Sequence, residues 1–320
     1  MITENNLKHI FITGASGFIG NHLLKELNGL NAKLYLLIRE NESIPKFPYS
    51  NIEWIKGDLN KPETYLEFIK KSDIVIHMAA ELYNIKYFWK TNVEAVELLI
   101  NEINVSSVKK VIHLSSVGVV GMQYSSKNTV VTEDTACFPK NDYEKTKLIS
   151  ENLLKEKLID RELVIIRPTN VFGEEHPRKH LKNIIEHIAT RNYFLCSKHS
   201  MVNYIYAGDI ASSIAFFIKN PQINGIFNIG ESISLFKFID IIRKHTLSRC
   251  KILFIPDLFF HLIKILKYLF PSEIFNKILS LNNKVIYSDK KIMKEFNYTY
   301  GIEFGLKKTC DYYLETYKNA

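Results

Sequence analysis

The sequence of 320 residues is poor in cysteine and has no long apolar run. Its four cysteines, Cys137, Cys196, Cys250 and Cys310, are far apart and form no Cys-x-x-Cys pair, which argues against a cysteine metal centre or a redox-active disulfide. The polar N-terminus, residues 1–8, lacks the basic and apolar regions of a signal peptide. We therefore expect a cytoplasmic protein with reduced thiols.

The most apolar segment, residues 258–270, is too short to cross a bilayer and is interrupted by His261, Lys264 and Lys267. These polar residues recur every three or four positions, which predicts an amphipathic helix. Such a helix is more typical of a domain lid or a subunit contact than of a membrane anchor. We therefore expect no membrane span. A homodimer is possible.

The chain carries more positive than negative charge, but no motif connects this charge with a particular kind of binding partner. The formal net charge of +8 is spread along the chain without five consecutive like charges, and no zinc, basic-helix or aromatic stacking motif accompanies it. His176 and His180 have the spacing of metal ligands, yet Pro177 lies between them and no third ligand is near. We expect a small-molecule substrate, no nucleic acid and no metal.

Short β-branched runs alternate with segments of helical period, a pattern typical of βαβ units in an α/β protein. The candidate strands are 9–13, 34–38, 52–55, 74–77, 111–114 and 163–166, with shorter ones at 203–206 and 226–229. Right-handed crossovers between them predict a Rossmann-like doubly wound parallel sheet. We expect residues 1–171, with 202–230 returning to them, to bind a dinucleotide, and residues 172–201 and 231–320 to form a smaller, mainly helical C-terminal substrate domain.

The first candidate strand runs into a glycine-rich turn that opens a helix, Gly14-Ala15-Ser16-Gly17-Phe18-Ile19-Gly20. In dinucleotide-binding proteins such glycines allow a tight turn, a close approach of the backbone to a pyrophosphate and close packing of helix on strand. The helix N-terminus adds amide donors for the phosphates. The context therefore predicts cofactor contacts at Gly14, Gly17, Phe18, Ile19 and Gly20.

Other candidate cofactor contacts follow the ends of later strands. The second strand ends in Arg39, without the acidic residue that would bond a ribose 2′-hydroxyl, and an arginine can bind a 2′-phosphate. Arg39 favours NADP slightly, but it also fits beside the adenine of NAD, so either NAD or NADP is expected. Asp58, Leu59, Ala79 and Ala80 follow the third and fourth strands, where ligands bind in such sheets.

A serine, a tyrosine and a lysine form the candidate catalytic set. Ser116 follows the fifth strand, and Tyr143 and Lys147 are four residues apart and so share a helix face. Tyr287 and Lys291 have the same spacing, but only Tyr143 opens a helix after the serine pair within the glycine-turn domain. A neighbouring ammonium would lower the pKa of the tyrosine from about 10. We predict Tyr143 as acid/base, with Ser116 holding a carbonyl oxygen during hydride transfer.

Taken in order, the motifs resemble those of the extended short-chain dehydrogenase/reductase family, which includes nucleotide-sugar epimerases and dehydratases. They are Thr13-Gly14-x-x-Gly17-x-x-Gly20, Gly57-Asp58-Leu59, His77-x-Ala79-Ala80, Thr91-Asn92-Val93, Ser115-Ser116-Val117, Tyr143-x-x-x-Lys147, Arg167-Pro168-x-Asn170-Val171-x-Gly173, Gly208-Asp209 and Phe227-Asn228-Ile229-Gly230. The resemblance covers most of the chain.

The resemblance implies roles for several residues. Ser116 rather than Ser115 would be the catalytic hydroxyl, and Lys147 would also hold the nicotinamide ribose. Pro168, Asn170 and Val171 would lie near the nicotinamide and the substrate. The implied activity is that of an NAD(P)-dependent oxidoreductase or isomerase acting on a nucleotide sugar, either a 4-epimerase or a 4-keto-sugar reductase.

The substrate is less well defined. Val117 and Gly118 stand where the family's dehydratases carry an acidic pair, which argues against dehydration. Glu81, Arg178 and Arg243 are further candidates for the substrate pocket, although no motif fixes the arginines. One alternative is an NADPH-dependent reductase of a hydrophobic ketone of steroid or flavonoid type, favoured by the apolar segment 258–270. Another is a non-catalytic dinucleotide sensor.

Overall fold

Seven parallel strands form the main sheet of the computed structural model, which describes residues 7–122, 124–270 and 273–318. They are β1 (Lys8–Thr13), β2 (Ala32–Ile38), β3 (Ile52–Lys56), β4 (Ile74–His77), β5 (Lys110–Leu114), β7 (Glu162–Pro168) and β11 (Gly225–Ile229). Their order across the sheet is β3-β2-β1-β4-β5-β7-β11. This arrangement confirms the predicted doubly wound fold, and the six longer predicted strands all lie in this sheet.

Helices cover both faces of this sheet. One face carries α1 (Phe18–Glu26) and α7 (Ala207–Lys219), which pack together. The other carries α2 (Leu66–Lys70), α4 (Ala95–Asn104) and α5 (Asp142–Lys157); α3 (Ile85–Trp89) continues into α4 through a π-helical turn. The inward side chains of each face form a separate apolar cluster. Because the inner strands β2, β4 and β5 are buried on both sides, they read as nearly continuous apolar runs in the sequence.

The remaining elements build the part beside the sheet. The helices there are α6 (His180–Thr190), α8 (Leu235–His245), α9 (Asp257–Leu269), α10 (Glu273–Ser280) and α11 (Gly301–Lys318). Three strands form a small sheet, β8 (Asn170–Phe172), β10 (Met201–Tyr206) and β12 (Glu231–Ser234). Two parallel pairs join β9 (Tyr193–Cys196) to β13 (Lys251–Phe254) and β6 (Thr129–Val131) to β14 (Val285–Tyr287).

The two shorter strands predicted at 203–206 and 226–229 therefore lie in different sheets. β11 extends the main sheet beside β7, whereas β10 belongs to the small sheet, and α7 between them packs on α1. The sequence did not predict β6, β8, β9, β12, β13 or β14, because strands of three or four residues carry little periodic signal. The predicted amphipathic helix is α9. In the described part of the chain, no helix is long and apolar enough to cross a membrane.

A buried ion pair ties α5 to the main sheet. Arg167 of β7 donates from Nε and Nη2 to the carboxylate of Glu151, at 2.9 and 2.6 Å, and the two side chains are 2% and 0% exposed. The hydroxyl of Ser115 donates to the same carboxylate. A buried ion pair is stable only when further hydrogen bonds satisfy its charged groups, and the Ser115 hydroxyl provides such a bond to Glu151. The pair therefore fixes the ends of β5 and β7 relative to α5.

Breaking this pair should destabilise the fold strongly. Arg167→Met leaves the Glu151 carboxylate buried without its counter-charge, and we expect the free energy of unfolding to fall by about 3–5 kcal/mol in denaturant titrations. Arg243→Met is the matched control, because Arg243 pairs with Asp240 at 2.6 Å near the surface and should lose at most about 1 kcal/mol. Equal losses in the two variants would contradict this account.

Candidate active site

A cleft of about 1450 Å³ lies at the carboxyl ends of the main strands. Its lining includes residues that directly follow β1 and β4, the neighbouring strands from which the strand order runs outward in both directions. Nearly every site residue expected from the sequence lines it: Gly14, Gly17, Phe18, Ile19, Gly20, Arg39, Asp58, Leu59, Ala79, Ala80, Glu81, Ser116, Tyr143, Lys147, Pro168, Asn170, Val171 and Arg178. Residues spread over more than half of the chain thus meet at one edge of the sheet.

The glycine turn fits a dinucleotide phosphate. Gly14 has φ +78°, and a Cβ there would lie 2.7 Å from the backbone nitrogen of Ala79. A Cβ on Gly20 would lie 2.3 Å from the carbonyl oxygen of Ala15, so this residue lets α1 pack closely on the turn. The first turn of α1 carries no acidic residue, so the positive end of the helix faces the cleft without a carboxylate from its own first turn. Both features suit an anionic group held by backbone amides.

A carboxylate lies beside Arg39 at the far end of the cleft. Glu42 is 3.6 Å from the Arg39 guanidinium and accepts a hydrogen bond of 3.1 Å from Ser16 in the glycine turn. Glu42 was not predicted from the sequence, because it comes from the loop that follows β2 and not from the end of the strand. Arg39 is therefore not a free cation awaiting a 2′-phosphate, since an acidic side chain already accompanies it.

The two serines at the end of β5 make different hydrogen bonds. Ser115 is turned into the protein and donates to Glu151, whereas Ser116 accepts a hydrogen bond of 3.0 Å from the Gly118 amide at the start of a 3₁₀ turn, Val117–Val120. The Ser116 hydroxyl hydrogen is thus left for a ligand in the cleft. The assignment of the catalytic hydroxyl to Ser116 rather than Ser115 stays a prediction.

Tyr143 and Lys147 occupy successive turns at the start of α5. The helix begins at an Asn141 cap, whose side chain accepts from the Glu144 amide at 3.0 Å. Tyr143 is partly buried, and its ring meets the edge of Phe88 at a centroid distance of 6.0 Å. Lys147 is 2% exposed, and its Nζ donates to the Leu114 carbonyl oxygen at 2.6 Å. The ammonium is thus anchored at the end of β5.

Burial dominates the pKa values of this pair. Burial raises the pKa of Tyr143 to about 12, while the positive charge of Arg178 acts in the opposite direction. Burial lowers the pKa of Lys147 to about 8, opposed by the charge of Glu151. The expectation that Lys147 lowers the tyrosine pKa is therefore not met in this structure, because Lys147 is held at the Leu114 carbonyl and the opposing cation is Arg178.

Two stacked histidines lie beside Lys147. The rings of His77 on β4 and His113 on β5 are 5.3 Å apart and nearly parallel, and Thr13 Oγ1 lies 2.8 Å from His77 Nδ1. Neither nitrogen of His113 has a hydrogen-bond partner in the described part of the chain. Burial lowers the pKa of His77 to about 3 and that of His113 well below its usual value, and Lys147 adds to both shifts. Both rings are therefore neutral at physiological pH.

The substrate side of the cleft is shaped by a loop after β4. Asn92 accepts from the Glu81 amide at 2.8 Å and donates to the Glu81 carbonyl oxygen at 3.1 Å. The Glu81 carboxylate accepts from the amides of residues 82, 83 and 84, and these hydrogen bonds help to lower its pKa, although burial opposes them. Glu81 lines the cleft, but its carboxylate is engaged in holding the loop.

Arg178 extends over the same loop from the opposite wall. Its guanidinium carbon lies 5.6 Å from the centre of the Tyr83 ring, a cation–π contact across the mouth of the cleft. Asn170 also lines the cleft and donates to the Asn203 carbonyl oxygen at 3.0 Å. Arg243 does not line it: this side chain pairs with Asp240 on α8. Positive charge alone gave no information on where the Arg243 side chain would lie.

Other lining residues were not expected from the sequence. They include Ser16, Glu42, Tyr87, Lys90, Tyr204 and Tyr313, together with His176 and His180. Tyr313 comes from α11, far from any motif, and no local sequence signal could have identified it. The second Tyr-x-x-x-Lys pair lies elsewhere: Tyr287 donates to the Met122 carbonyl oxygen and Lys291 to that of Ile226. Within the described ranges, no group of three or more His, Cys, Asp or Glu residues could hold a metal ion.

The fold and the cleft together define an α/β enzyme of dinucleotide-binding type, and the comparison with known proteins specifies the family. Residues 10–230 match the model of the NAD dependent epimerase/dehydratase family. The chain belongs to this family.

Individual relatives differ in what they act on. The chain is 28% identical over 271 residues to a sterol-4-alpha-carboxylate 3-dehydrogenase, decarboxylating, of Dictyostelium discoideum, covering 77% of this chain and 79% of the relative. It is 26% identical over 245 residues to an ADP-L-glycero-D-manno-heptose-6-epimerase of Brachyspira hyodysenteriae, covering 69% and 75%. The crystal structure of UDP-glucuronic acid 4-epimerase from Bacillus cereus in complex with NAD shares the fold, with a TM-score of 0.71, 19% identity and coverage of 96% and 99%.

The two neutral histidines make the stability of the protein sensitive to acid. A histidine with a depressed native pKa binds its proton first in the unfolded state, so its contribution is present above about pH 6.5 and is lost as the pH falls. Between about pH 7.5 and about pH 5.5, we expect each of His77 and His113 to remove about 1.4 kcal/mol from the free energy of unfolding.

Denaturant titrations at the two pH values provide the measurement. His113→Leu should reduce this loss of stability by about 1.4 kcal/mol, whereas His199→Leu, which changes an exposed histidine, should leave it unchanged. A pH dependence that is identical in the wild type and His113→Leu would show that His113 is not a neutral buried group.

Proposed function

We propose that this protein is a nucleotide-sugar 4-epimerase that retains NAD. The observation that carries the proposal is the meeting of Ser116, Tyr143 and Lys147 with the glycine turn in one cleft at the carboxyl edge of the sheet. These groups can bind a dinucleotide and transfer a proton to or from a neighbouring hydroxyl. A 4-keto-sugar reductase would use the same residues, and the dinucleotide that the purified protein carries separates the two.

The chain offers a site for each part of NAD. The amides at the start of α1 would hold the pyrophosphate, and Glu42 would accept a hydrogen bond from the adenosine ribose. Ala79 and Ala80 leave room for the backbone to approach the cofactor, and Lys147 would reach the nicotinamide ribose. The chemistry that NAD would supply when bound in this way is the reversible acceptance of a hydride from the sugar carbon.

Tyr143 and Ser116 would form hydrogen bonds to the oxygen on that carbon. With a pKa raised to about 12, Tyr143 is protonated in the ligand-free protein and can donate a hydrogen bond to a ketone oxygen. To accept the hydroxyl proton instead, it needs cations nearby, and Lys147 and Arg178 are the candidates. Ser116 would donate a second hydrogen bond to the same oxygen and so hold the ketone in place.

A diphosphate needs cationic anchors in the outer part of the cleft. Arg178 is exposed at the mouth, and Lys90 lines the cleft from the π-helical turn between α3 and α4. An arginine guanidinium can bind phosphate oxygens through two parallel hydrogen bonds. The position of Arg178 above Tyr83 supports a nucleotide diphosphate that extends outward from Tyr143.

The second candidate function is oxidation or reduction of a hydrophobic alcohol or ketone. A sterol dehydrogenase is among the relatives, and the outer cleft carries apolar side chains, among them Leu82, Tyr87, Leu181, Tyr204 and Tyr313. A sterol would need apolar walls and no diphosphate anchor. Arg178→Ala separates the two: it should weaken binding of a nucleotide sugar but leave binding of a sterol unchanged.

Tyr143→Phe tests the acid/base assignment. Removing the phenol hydroxyl should lower kcat by about 10²–10⁴-fold, while the affinity for NAD changes only a few-fold. Interconversion of UDP-glucose and UDP-galactose followed by NMR, with a panel of other nucleotide sugars, gives the rate. Tyr287→Phe, which alters the other Tyr-x-x-x-Lys pair, is the control and should retain kcat. A large loss of NAD affinity in Tyr143→Phe would mean that the tyrosine is structural.

Glu42 tests the choice of cofactor. A carboxylate beside the adenosine ribose repels a 2′-phosphate, so Glu42→Ala should shift the ratio of NADP to NAD affinity toward NADP by about tenfold. Arg39→Ala in the same background should reverse this gain, because it removes the cation that would bind the phosphate. Calorimetric titration with both dinucleotides measures the ratio. Equal changes for NAD and NADP would contradict the placement of the ribose beside these two residues.

A further inference from the structure

The loop that follows β8 connects the cofactor end of the cleft with its substrate end. It leaves the small sheet at Gly173, where an added Cβ would lie 3.1 Å from the ring of Phe18 and 3.3 Å from that of Tyr206. The Tyr206 hydroxyl donates to the carboxylate of Glu174 at 3.0 Å. The first part of the loop is therefore packed against the start of α1 and the end of β10.

His176 makes two contacts that link α1 with the far part of this loop. Its ring meets the Phe18 ring edge-on, with a centroid distance of 4.7 Å and an interplanar angle of 85°. Its Nδ1 accepts a hydrogen bond of 3.1 Å from the backbone amide of Arg178. Nδ1 can accept this bond because the other nitrogen of the neutral ring carries the hydrogen. His176 thus joins the first residue of the cofactor helix to the backbone of Arg178.

The backbone on either side of His176 has few alternative conformations. Glu175 has φ +61°, in the left-handed region that residues with a side chain rarely adopt. Pro177 fixes its own φ and restricts His176 to extended conformations. A left-handed residue persists only where the surrounding contacts determine it. The two contacts of His176 are among those that do so here.

Arg178 depends on this loop for its position. Its side chain is exposed, and its guanidinium carbon lies 5.6 Å from the centre of the Tyr83 ring at the mouth of the cleft. An exposed arginine side chain has many rotamers, and ordering them opposes the binding of an anion. A backbone that is already held in place reduces this entropic cost. The hydrogen bond from His176 to the Arg178 amide meets this need.

We propose that His176 is a positioning residue for substrate binding, which holds Arg178 where its guanidinium binds the diphosphate of a nucleotide sugar. This role rests on the proposed function, because it requires Arg178 as the diphosphate anchor. His176 itself needs no contact with the substrate, since it acts through the backbone of Arg178. Because its ring packs on Phe18 at the start of α1, it also fixes the distance between the substrate anchor and the helix end that would bind the cofactor pyrophosphate.

Binding of nucleotide diphosphates in the presence of saturating NAD tests this role. Calorimetric titration with UDP, ADP, GDP and dTDP identifies the one that the wild type binds most tightly, which then serves as the probe. Arg178→Ala should weaken binding of the probe at least about tenfold, because charge-assisted hydrogen bonds to the diphosphate are lost. His176→Ala should weaken it about three- to tenfold, because Arg178 is then no longer held in place.

The double variant His176→Ala/Arg178→Ala distinguishes a positioning role from a general structural one. If His176 acts through Arg178, the double variant should bind the probe as weakly as Arg178→Ala, whereas independent effects would multiply. His176→Asn keeps an acceptor that can reach an amide two residues on, so it should bind at least about threefold more tightly than His176→Ala. Multiplied losses, or equal affinities of His176→Asn and His176→Ala, would overturn the role of His176.

The remaining outcomes separate this role from the proposed function. His199→Ala changes an exposed histidine that does not line the cleft and should bind the probe like the wild type, and circular dichroism verifies that every variant is folded. Wild-type affinity in Arg178→Ala, or a wild type that binds none of the four diphosphates, would overturn the diphosphate site and the role of His176 together. Multiplied losses in the double variant would overturn the role of His176 and leave Arg178 as the anchor.

Discussion

The close approach of the glycine turn to the end of β4 determines where every part of the site lies. A Cβ on Gly14 would lie 2.7 Å from the backbone nitrogen of Ala79, so only glycine allows β1 to turn into α1 at this point. The strand order runs outward on both sides of β1 and β4, which opens the crevice between their carboxyl ends. The glycine turn and the end of β5 therefore face one space.

The chemistry of the cleft rests on a buried network beneath it. Glu151 accepts from Ser115 and Arg167 and opposes the lowering of the Lys147 pKa, so one carboxylate supports both the sheet and the ammonium. The neutral His77 and His113 beside Lys147 add no further positive charge. Packing of α5 against β5 and β7 thus also sets the electrostatic surroundings of Tyr143, one turn away from Lys147.

The sequence predicted those parts of the molecule that depend on local patterns. The six longer strands of the main sheet were identified from β-branched runs, and the glycine turn and Ser116 from their position after strands. Glu42 was missed because it comes from a loop whose path only the folded chain defines, and Tyr313 because α11 reaches the cleft from the end of the chain. Arg243 was predicted to line the substrate pocket but does not, because a charged residue outside any motif gives no information on where its side chain lies. The high pKa of Tyr143 could not be foreseen, since it depends on burial and on which carbonyl holds Lys147.

The most direct test of the central claim is to identify the dinucleotide that the protein carries. Mass spectrometry of the gently denatured, purified protein should detect released NAD, and a nucleotide sugar should then raise the Tm of the intact protein. Release of no dinucleotide, together with stabilisation by NADPH alone, would favour the reductase over the epimerase. If neither NAD nor NADP is released and neither raises the Tm, the cleft is not a dinucleotide site.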